Sequence, residues 1–242
     1  MLKSTPDEIR RRFDADVERF SNLETGQTAT IDAPVALELI ARAAAAVCPN
    51  SESLLDIGCG AGNYTLKLMA ALPLRRVTLV DLSRPMLDRA MERIRAAGAV
   101  QITAIQADIR EADFPAGSFD VATAAATLHH LRGDQEWAGV FGAIHRWLRP
   151  GGSFWISDMV EHQPAAVHEV MWNRYGEYLA ALKGPEYRDH VFAYIEREDT
   201  PRPLVWQLER LREAGFAAVE VLHKNTCFAA FGAFKQAAPL TG

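Results

Sequence analysis

A glycine-rich segment that follows a short apolar run is the part of the chain best suited to chemistry. Asp56 leads it, and Gly58, Gly60 and Gly62 follow at alternate positions. Glycine has no Cβ, so the backbone can turn sharply here and a ligand can lie directly against it. A second carboxylate, Asp81, ends the next apolar run, at about the distance at which a βαβ unit places an acid beside a ribose. We therefore expect a nucleotide-like cofactor at this loop.

The residue at position 63 narrows the class of cofactor. A dinucleotide fingerprint requires a third glycine there, and this chain has Asn63. The pattern is instead Asp-x-Gly-x-Gly-x-Gly, in which Asp56 would repel a pyrophosphate and tolerate a cation. S-adenosylmethionine meets these conditions, because it has a ribose, an ammonium group and a sulfonium but no phosphate.

The elements that must position this loop alternate between strands and helices. Apolar runs predict five strands, at 53–57, 76–81, 100–107, 119–125 and 153–157. This rhythm is typical of a parallel sheet that is covered by helices on both faces. A helix at 203–214 and a strand pair at 216–223 and 226–234 follow.

Two further segments are expected to roof the site of a single domain, 1–242. The N-terminal helical lid, 1–50, begins with an amphipathic helix over 5–20, and its polar segment Thr25-Gly26-Gln27-Thr28 could cover the cofactor. Gln27 would then reach the cofactor carboxylate, although a packed extension without contact is the alternative. The core, 51–159, is followed by an acceptor-side insertion and by the C-terminal helix and strand pair, at 160–202 and 203–242.

The overall composition is that of an ordinary globular protein. A net charge of −5 argues against wide binding to nucleic acid, which needs clustered positive charge. Cys48, Cys59 and Cys227 form no CxxC pair, and no apolar leader or membrane-spanning run is present. We therefore expect a cytoplasmic protein without a membrane partner, and a homodimer is compatible with the aromatic insertion.

Five segments of the chain resemble the motifs of class I S-adenosylmethionine-dependent methyltransferases, in the manner of the type 11, 12 and 25 groups. In order, they are LLDIGCGAGNYT, VTLVDLSRPML, QADI, FDVATAAATLHHL and LRPGGSFWISD. The resemblance covers roughly residues 50 to 160. It implies an α/β, Rossmann-like, doubly wound sheet of seven strands with the last strand antiparallel and helices on both faces. A helical N-terminal extension and a helical insertion before the last two strands complete this expected fold.

The resemblance also assigns residues to the methionine part and the ribose of the cofactor. Three glycines would pass under the methionine part: Gly58, Gly60 and Gly62. Asp56 matches the position that faces the amino group, and Asp81 matches the acid that accepts both ribose hydroxyls. Leu82 and Met86 match residues that flank the adenine ring.

The remaining cofactor contacts follow strands three and four. Asp108 matches the acid near the exocyclic amine of adenine, and the backbone N–H of Ile109 is available to a ring nitrogen. Ala124 and Ala125 would face the methionine part. The resemblance thus implies S-adenosylmethionine as cofactor and S-adenosylhomocysteine as product.

Candidate catalytic residues are few, because methyl transfer depends mainly on alignment and needs a base only for some acceptors. His129 and His130 follow strand four, and His129 is the candidate for contact with the substrate or for a base. The alternative is that one histidine satisfies a loop backbone while the other lines the cleft. Asp158, Glu161 and His162 follow strand five without a compact ligand spacing, so we interpret them as solvated rim residues and expect no metal.

Aromatic residues in the insertion are the candidates for binding the acceptor. Trp172 and Tyr175 lie three residues apart, a spacing that suits either a pocket or a packed core. We hypothesise that both residues contact a small-molecule acceptor. Packing of the same residues stays the alternative.

Three hypotheses about function remain open. The first is methyl transfer by in-line displacement to a small-molecule acceptor. The second is an enzyme that modifies the cofactor itself or acts in tRNA modification, because the tail is similar to that of carboxy-S-adenosylmethionine synthases and Arg210 matches their arginine for the added carboxylate. The third is a cofactor-binding protein without transfer activity.

Overall fold

The segments with apolar runs form a seven-stranded sheet in the structure, a computed structural model that describes residues 3–22, 27–98 and 100–237. Numbered along the chain, the strands are β1 Ser53–Ile57, β2 Arg76–Asp81, β3 Gln101–Gln106, β4 Phe119–Ala125, β5 Leu148–Met159, β6 Ala218–Asn225 and β7 Phe228–Phe234. Their order across the sheet is β3-β2-β1-β4-β5-β7-β6, and β7 runs antiparallel to both of its neighbours. The predicted fold class is confirmed.

Helices cover both faces of this sheet. Within the described residues they are α1 Pro6–Ala15, α2 Val17–Ser21, α3 Ala33–Val47, α4 Asn63–Ala71, α5 Arg84–Ala97, α6 Asp134–Trp147, α7 Ala165–Lys183, α8 Pro185–Glu198 and α9 Leu204–Glu213. One apolar cluster packs α6 and α9 on one face, and a second packs α3, α4 and α5 on the other. None of the helices in the described part of the chain has the length and apolar character needed to cross a membrane.

The central strands β1 and β4 are buried on both faces, which explains their continuous apolar runs, whereas the edge strand β3 is half-buried or exposed along its length. All five residues of β1 are buried, and β1 pairs with both β2 and β4. Because the carboxyl ends of parallel strands meet at one edge of the sheet, the loops after β1, β2, β4 and β5 come together there. These are the loops that carry the candidate residues.

The predicted helix over 5–20 is divided into two in the structure. Thr5 and Glu8 form a capping box at the start of α1, because each side chain accepts a hydrogen bond from the other's backbone N–H. Asp16 leaves the helical conformation, with φ −109° and ψ 12°, and α2 begins at the next residue. The apolar residues keep their helical spacing across this position, so the sequence pattern did not predict the break. Of the predicted lid segment, Thr25 and Gly26 lie outside the described residues.

The insertion at 160–202 folds as the helix pair α7 and α8. Gly184 joins them with φ +92°, a left-handed conformation that favours glycine. The pair covers a third apolar cluster that includes Tyr175, Leu179 and Ile195. The helices therefore form a roof over the carboxyl edge of the sheet, next to α1 and α2.

Candidate active site

The glycine loop after β1 contains three glycines with different structural roles. All three have positive φ, +61° at Gly58, +50° at Gly60 and +82° at Gly62. A Cβ at Gly58 would lie 2.1 Å from Thr127 Oγ1, and one at Gly62 would lie 3.2 Å from Ala90 Cβ. A Cβ at Gly60 would meet nothing within 4 Å. Gly60 thus presents open backbone to a cavity, whereas Gly62 allows α4 to pack against α5.

Asp81 is held by the backbone at the end of β2. Its Oδ2 accepts the N–H of Gly60 and its Oδ1 accepts the N–H of Ser83, both at 2.8 Å. Burial raises the pKa of Asp81 to about 6, although these hydrogen bonds oppose the shift. The two N–H groups fix the carboxylate beside the glycine loop, where both oxygens keep lone pairs for further donors.

Asp56 is the second buried carboxyl group at the loop. Thr65 donates its hydroxyl to Asp56 Oδ2 at 2.5 Å. Burial raises the pKa of Asp56 to about 7, and the negative charge of Asp81 adds to the increase. Two carboxyl groups that resist ionisation at one loop are stabilised by a ligand that brings hydroxyl donors and a positive charge. This donor set fits the ribose and the ammonium group of S-adenosylmethionine.

The cavity at the glycine loop, which we call the loop cavity, continues into a second space. The loop cavity has a volume of about 110 Å³ and is lined by Asp56, Gly60, Asp81 and Met86 among others. The second space, the Asp108 cavity, has a volume of about 420 Å³. It shares six residues with the loop cavity: Ile9, Gly58, Asp81, Leu82, Thr127 and His130. Together the two cavities form one elongated cleft along the sheet edge.

Asp108 and Ile109 lie in the Asp108 cavity, as the resemblance implies for the adenine end. Arg110 binds the Asp108 carboxylate with two nitrogens, at 2.9 and 2.5 Å, and reaches Glu136 at 3.0 Å. Burial raises the pKa of Asp108, but the hydrogen bonds and charge of Arg110 outweigh it and lower the pKa below its usual value. Asp108 is therefore an ionised acceptor at the far end of the cleft.

A third space, the roofed cavity, lies on the other side of the glycine loop. Its volume is about 410 Å³, and its walls come from α1, α2, α7, α8 and the ends of β4 and β5. Six of its residues also line the loop cavity: Phe13, Phe20, Gln27, Tyr64, Ala125 and Ala126. The roofed cavity and the cofactor cleft thus share a wall.

His129 lies at the roofed cavity between two buried carboxylates. Its Nδ1 contacts Asp158 Oδ1, and its Nε2 lies 3.6 Å from Asp199 Oδ1. Burial alone would lower the pKa of His129, but the charges of Asp158 and Asp199 and the hydrogen bond to Asp158 raise it to about 9. The imidazole is therefore protonated at neutral pH.

His130 faces the cofactor cleft, on the opposite side of the same short turn, Leu128–His130. Burial and the neighbouring charge of His129 hold the pKa of His130 well below its usual value, so its ring is neutral. Its Nδ1 makes no hydrogen bond, whereas a hydrogen bond with the backbone of Glu198 opposes the lowering of the pKa. The two histidines thus line different cavities, and the contact of His130 with the Glu198 backbone leaves open the alternative of a histidine that satisfies a loop backbone.

Most of the predicted cofactor residues line the cleft: Gln27, Asp56, Gly58, Gly60, Asp81, Leu82, Met86, Asp108 and Ile109. Two of them do not. Ala124 is fully buried in the cluster on the α6 face, because side chains alternate along a strand, and Ala125 is the residue that reaches the cavities. Gly62 packs against α5 as described.

Of the two aromatic residues predicted to bind the acceptor, one lines a cavity and the other does not. Tyr175 lines the roofed cavity and donates its hydroxyl to the Ala29 carbonyl at 2.9 Å. Trp172 lies outside the cavity lining, where its ring stacks on His168 and Phe192. For Trp172 the structure therefore favours the packing alternative.

Arg210 is also absent from the lining of the three cavities described here. It pairs with Glu213 on its own helix and lies over the ring of Trp206. The feature that would favour a carboxy-S-adenosylmethionine synthase is thus not met by this side chain.

Sequence reasoning missed several residues of the site. Asp158 was expected on a solvated rim, yet it is 3% exposed and accepts the N–H of Leu128 at 2.8 Å. Tyr64 and Phe13 also line the site, and the position of Phe13 on the apolar face of the first helix was an available signal. No sequence motif marks Asp199 as a site residue, because it reaches His129 from the end of α8, far away along the chain.

Comparison with known proteins identifies the family. The model of the methyltransferase domain family matches residues 54–152. An uncharacterized methyltransferase of Mycobacterium tuberculosis (strain ATCC 25618 / H37Rv) is 32% identical over an alignment of 162 residues, and the alignment covers 60% of this chain and 78% of that protein. The 27-O-demethylrifamycin SV methyltransferase of Amycolatopsis mediterranei (strain S699) is 28% identical across 98% of this chain and 94% of its own length.

Solved structures share the fold. One of them is the Burkholderia thailandensis 1,6-didemethyltoxoflavin-N1-methyltransferase, which was crystallised with 1,6-didemethyltoxoflavin and S-adenosylhomocysteine. It superposes on this chain with a TM-score of 0.64 at 20% sequence identity. The superposition covers 98% of this chain and 92% of that structure. The motifs, the domain match and the relatives agree. The chain therefore belongs to the class I S-adenosylmethionine-dependent methyltransferases.

Proposed function

We propose that this methyltransferase acts on a small-molecule acceptor that binds in the roofed cavity. When bound, S-adenosylmethionine supplies a methyl group activated by its sulfonium, and S-adenosylhomocysteine is left after transfer. The chain's own contribution is to hold the two reactants on either side of a shared wall and to exclude water.

The observation that carries the proposal is the wall shared by the loop cavity and the roofed cavity. Tyr64 follows the glycine loop directly, and Ala125 ends β4, so both are fixed by the sheet edge. Phe13 and Phe20 close the same junction from the lid. A group bound at the methionine end of the cleft would thus face an acceptor in the roofed cavity without crossing bulk solvent.

The lining of the roofed cavity supports a planar, largely apolar acceptor. Tyr175, Tyr187 and Tyr194 come from the insertion helices, and Phe13 and Phe20 come from the lid. Aromatic walls of this kind suit flat rings. The names of two similar proteins give 27-O-demethylrifamycin SV and 1,6-didemethyltoxoflavin as the molecules they methylate or bind, so small organic acceptors have precedent among them.

His129 is proposed to contact the acceptor. In its protonated form it is a hydrogen-bond donor, which suits an acceptor that carries an oxygen beside the reacting atom. A role as general base requires that the ring first lose the proton that Asp158 and Asp199 stabilise. The base therefore stays a prediction, and contact with the substrate is the part that the geometry supports.

The alternative functions have less support. For a cofactor-modifying enzyme, the resemblance assigns Arg210 to the added carboxylate, and Arg210 lies outside the lining of the three cavities. A cofactor-binding protein without transfer activity would not need a second cavity of about 410 Å³ beside the cofactor.

Labelled cofactor tests the proposal directly. Purified enzyme is incubated with methyl-labelled S-adenosylmethionine and a bacterial extract separated into small molecules, protein and RNA. We expect the label to enter the small-molecule fraction. Label in RNA or protein, or none in any fraction, would contradict the proposal.

A further inference from the structure

Three donor atoms converge where the roofed cavity and the cofactor cleft meet. They are one ring nitrogen each of His129 and His130 and a carboxylate oxygen of Asp199, and all lie within 4.8 Å of one another. Asp199 Oδ1 lies 3.3 Å from His130 Nδ1 and 3.6 Å from His129 Nε2. Ligands that share one ion at bond lengths of about 2.1 Å stand roughly 3.0–3.4 Å apart, so the separations are close to those of a metal site.

The hydrogen bonding of the cluster leaves these donors unused. Asp199 is 3% exposed, and its Oδ1 has no hydrogen-bond partner. His130 Nδ1 has none either, although the oxygen is only 3.3 Å away. Buried polar atoms are normally satisfied, and an unpaired buried carboxylate oxygen is costly. A ligand between the three residues would account for all of these atoms.

The other nitrogen of His129 is oriented as in a metal ligand. Asp158 contacts Nδ1 and is itself fixed by the backbone N–H groups of Leu128 and Met159. Metal-binding histidines commonly donate their second N–H to a carboxylate in this way, which aims the free nitrogen at the ion. In this arrangement Nε2 of His129 is aimed towards Asp199.

Charge around the cluster is compatible with a cation. Asp158 and Asp199 face it directly, and Arg12 is neutralised by Glu198 through an ion pair of 2.8 Å. Among the described residues, three further cations lie nearby: Lys3 contacts the backbone carbonyl of Asp199, Arg132 donates to the backbone carbonyl of Glu198 at 2.6 Å, and Arg197 pairs with Glu198 at 3.2 Å. The carboxylates of Asp158 and Asp199 are the charged groups next to the imidazoles, and a bound metal would displace the proton that His129 carries in the free protein.

We propose that His129, His130 and Asp199 form a binding site for a first-row divalent transition metal such as Zn²⁺. Two imidazoles with one carboxylate suit these ions better than Mg²⁺ or Ca²⁺, which prefer oxygen. The three protein donors leave a coordination position open, and His129 and Asp199 line the roofed cavity. An acceptor oxygen would fit that position, a role that rests on the proposed function, whereas binding of the metal does not.

Sequence spacing did not indicate this site. The sequence prediction of no metal was drawn from Asp158, Glu161 and His162, none of which supplies a donor here. The third donor, Asp199, comes from the end of α8, and only the folded chain brings it to the histidines.

Zinc binding to the purified protein tests the proposal. The protein is stripped with a chelator and titrated with Zn²⁺ against a chromophoric competitor, and Co²⁺ serves as a spectroscopic probe of the same site. We expect about one equivalent of metal per chain. Asp199→Asn and His130→Ala should weaken binding by at least roughly tenfold. His190→Ala, an exposed histidine in the same cavity, is the matched control and should leave metal affinity unchanged.

X-ray absorption spectroscopy of the zinc-loaded wild-type chain decides the matter even if a variant does not fold. We expect scattering from two imidazoles and further light N/O ligands. Sulfur ligation, an absence of imidazole, or zinc affinity equal in wild type and both folded variants would overturn the site. Titration of the stripped protein with S-adenosylhomocysteine tests the cofactor cleft separately, so that failure of the metal site leaves the proposed function standing.

Discussion

Two buried carboxyl groups dominate the chemistry of the cofactor cleft at the scale of single residues. Asp56 lies one residue before the end of β1 and Asp81 ends β2, and both resist ionisation because burial raises the pKa of each. In the free protein this is an unfavourable arrangement. A ligand with hydroxyl donors and an ammonium group removes the penalty, so part of the free energy of cofactor binding is stored in the unliganded site.

Replacement of Asp81 by asparagine tests this idea. Asp81→Asn removes the charge and turns one acceptor towards the N–H of Gly60 or Ser83 into a donor. Hydrogen bonds to charged groups contribute about 1.5–3 kcal/mol, so we expect the Kd for S-adenosylhomocysteine to rise roughly ten- to a hundredfold. Isothermal titration calorimetry measures the change. Asp88→Asn on the surface of α5 is the control, and equal affinities of both variants would contradict the assignment.

The pH dependence of cofactor binding follows from Asp56. Its pKa of about 7 in the free protein must fall when a cation binds, so binding releases a proton near neutral pH. The Kd for S-adenosylmethionine should therefore rise by up to about tenfold per pH unit below pH 7. Calorimetry in buffers of different ionisation enthalpy detects the released proton. A Kd that does not change between about pH 6 and about pH 8, roughly one pH unit on either side of the pKa, would contradict the assignment.

The stability of the free protein depends on pH in the opposite direction to its affinity for the cofactor. A carboxyl group whose pKa is raised in the folded state takes up a proton on folding. The contribution of Asp56 to the stability of the free protein is therefore present at low pH and is lost as the pH rises through about 7. Bound cofactor should reverse this trend.

At the scale of elements, Asn63 connects the lid to the glycine loop. Its side-chain nitrogen donates to the Phe20 carbonyl at 3.0 Å, and Arg93 donates to its oxygen at 2.8 Å. Asn63 thus stands where a dinucleotide fingerprint has glycine and ties α2 to α4 and α5. The lid is held over the cleft by a side chain that itself belongs to the loop motif.

Asn63→Ala should therefore loosen the lid. Loss of a buried hydrogen-bond pair costs about 1–3 kcal/mol, and we expect the dissociation rate of S-adenosylhomocysteine to increase by at least roughly fivefold. Stopped-flow fluorescence measures the rate. Arg42→Ala, which breaks a surface pair with Glu38 on α3, serves as control. An unchanged dissociation rate would mean that the lid does not retain the cofactor.

The helix pair α7 and α8 separates packing residues from cavity residues. Trp172→Ala removes two stacked aromatic contacts and should destabilise the fold by about 1–3 kcal/mol, with little effect on the KM for an acceptor. Tyr187→Ala, which opens the roofed cavity, should raise that KM instead. Thermal unfolding and steady-state kinetics distinguish the two variants. A raised KM for Trp172→Ala at unchanged Tm would restore Trp172 to the acceptor site.

At the scale of the whole molecule, the N-terminal segment joins the two substrate spaces. Ser4 donates its N–H to the Arg197 carbonyl at 3.0 Å, and Arg132 donates to the Ser4 carbonyl at the same distance. The Asp108 cavity is lined by residues 3–6 and Ile9, while the end of α8 lines the roofed cavity. Opening of one space therefore disturbs the wall of the other.

The sequence was most informative where the determinants are local. β1, β2 and β4 were predicted with their observed bounds, because each is a short apolar run that ends at a turn or at an acid. The position of Asp81 followed from the same pattern. The placement of Asp199 beside His129 was not predictable, because it depends on the packing of α8 against the sheet edge. Trp172 shows the same limit, since a helical spacing does not say which face meets a cavity.

Binding of S-adenosylhomocysteine, measured by native mass spectrometry of the purified chain with and without added ligand, tests the central claim most directly. We expect a complex of one ligand per chain, which is weakened in Asp81→Asn and retained in Asp88→Asn. No complex at a large excess of ligand, or a complex that is indifferent to Asp81→Asn, would contradict the assignment of the cofactor cleft.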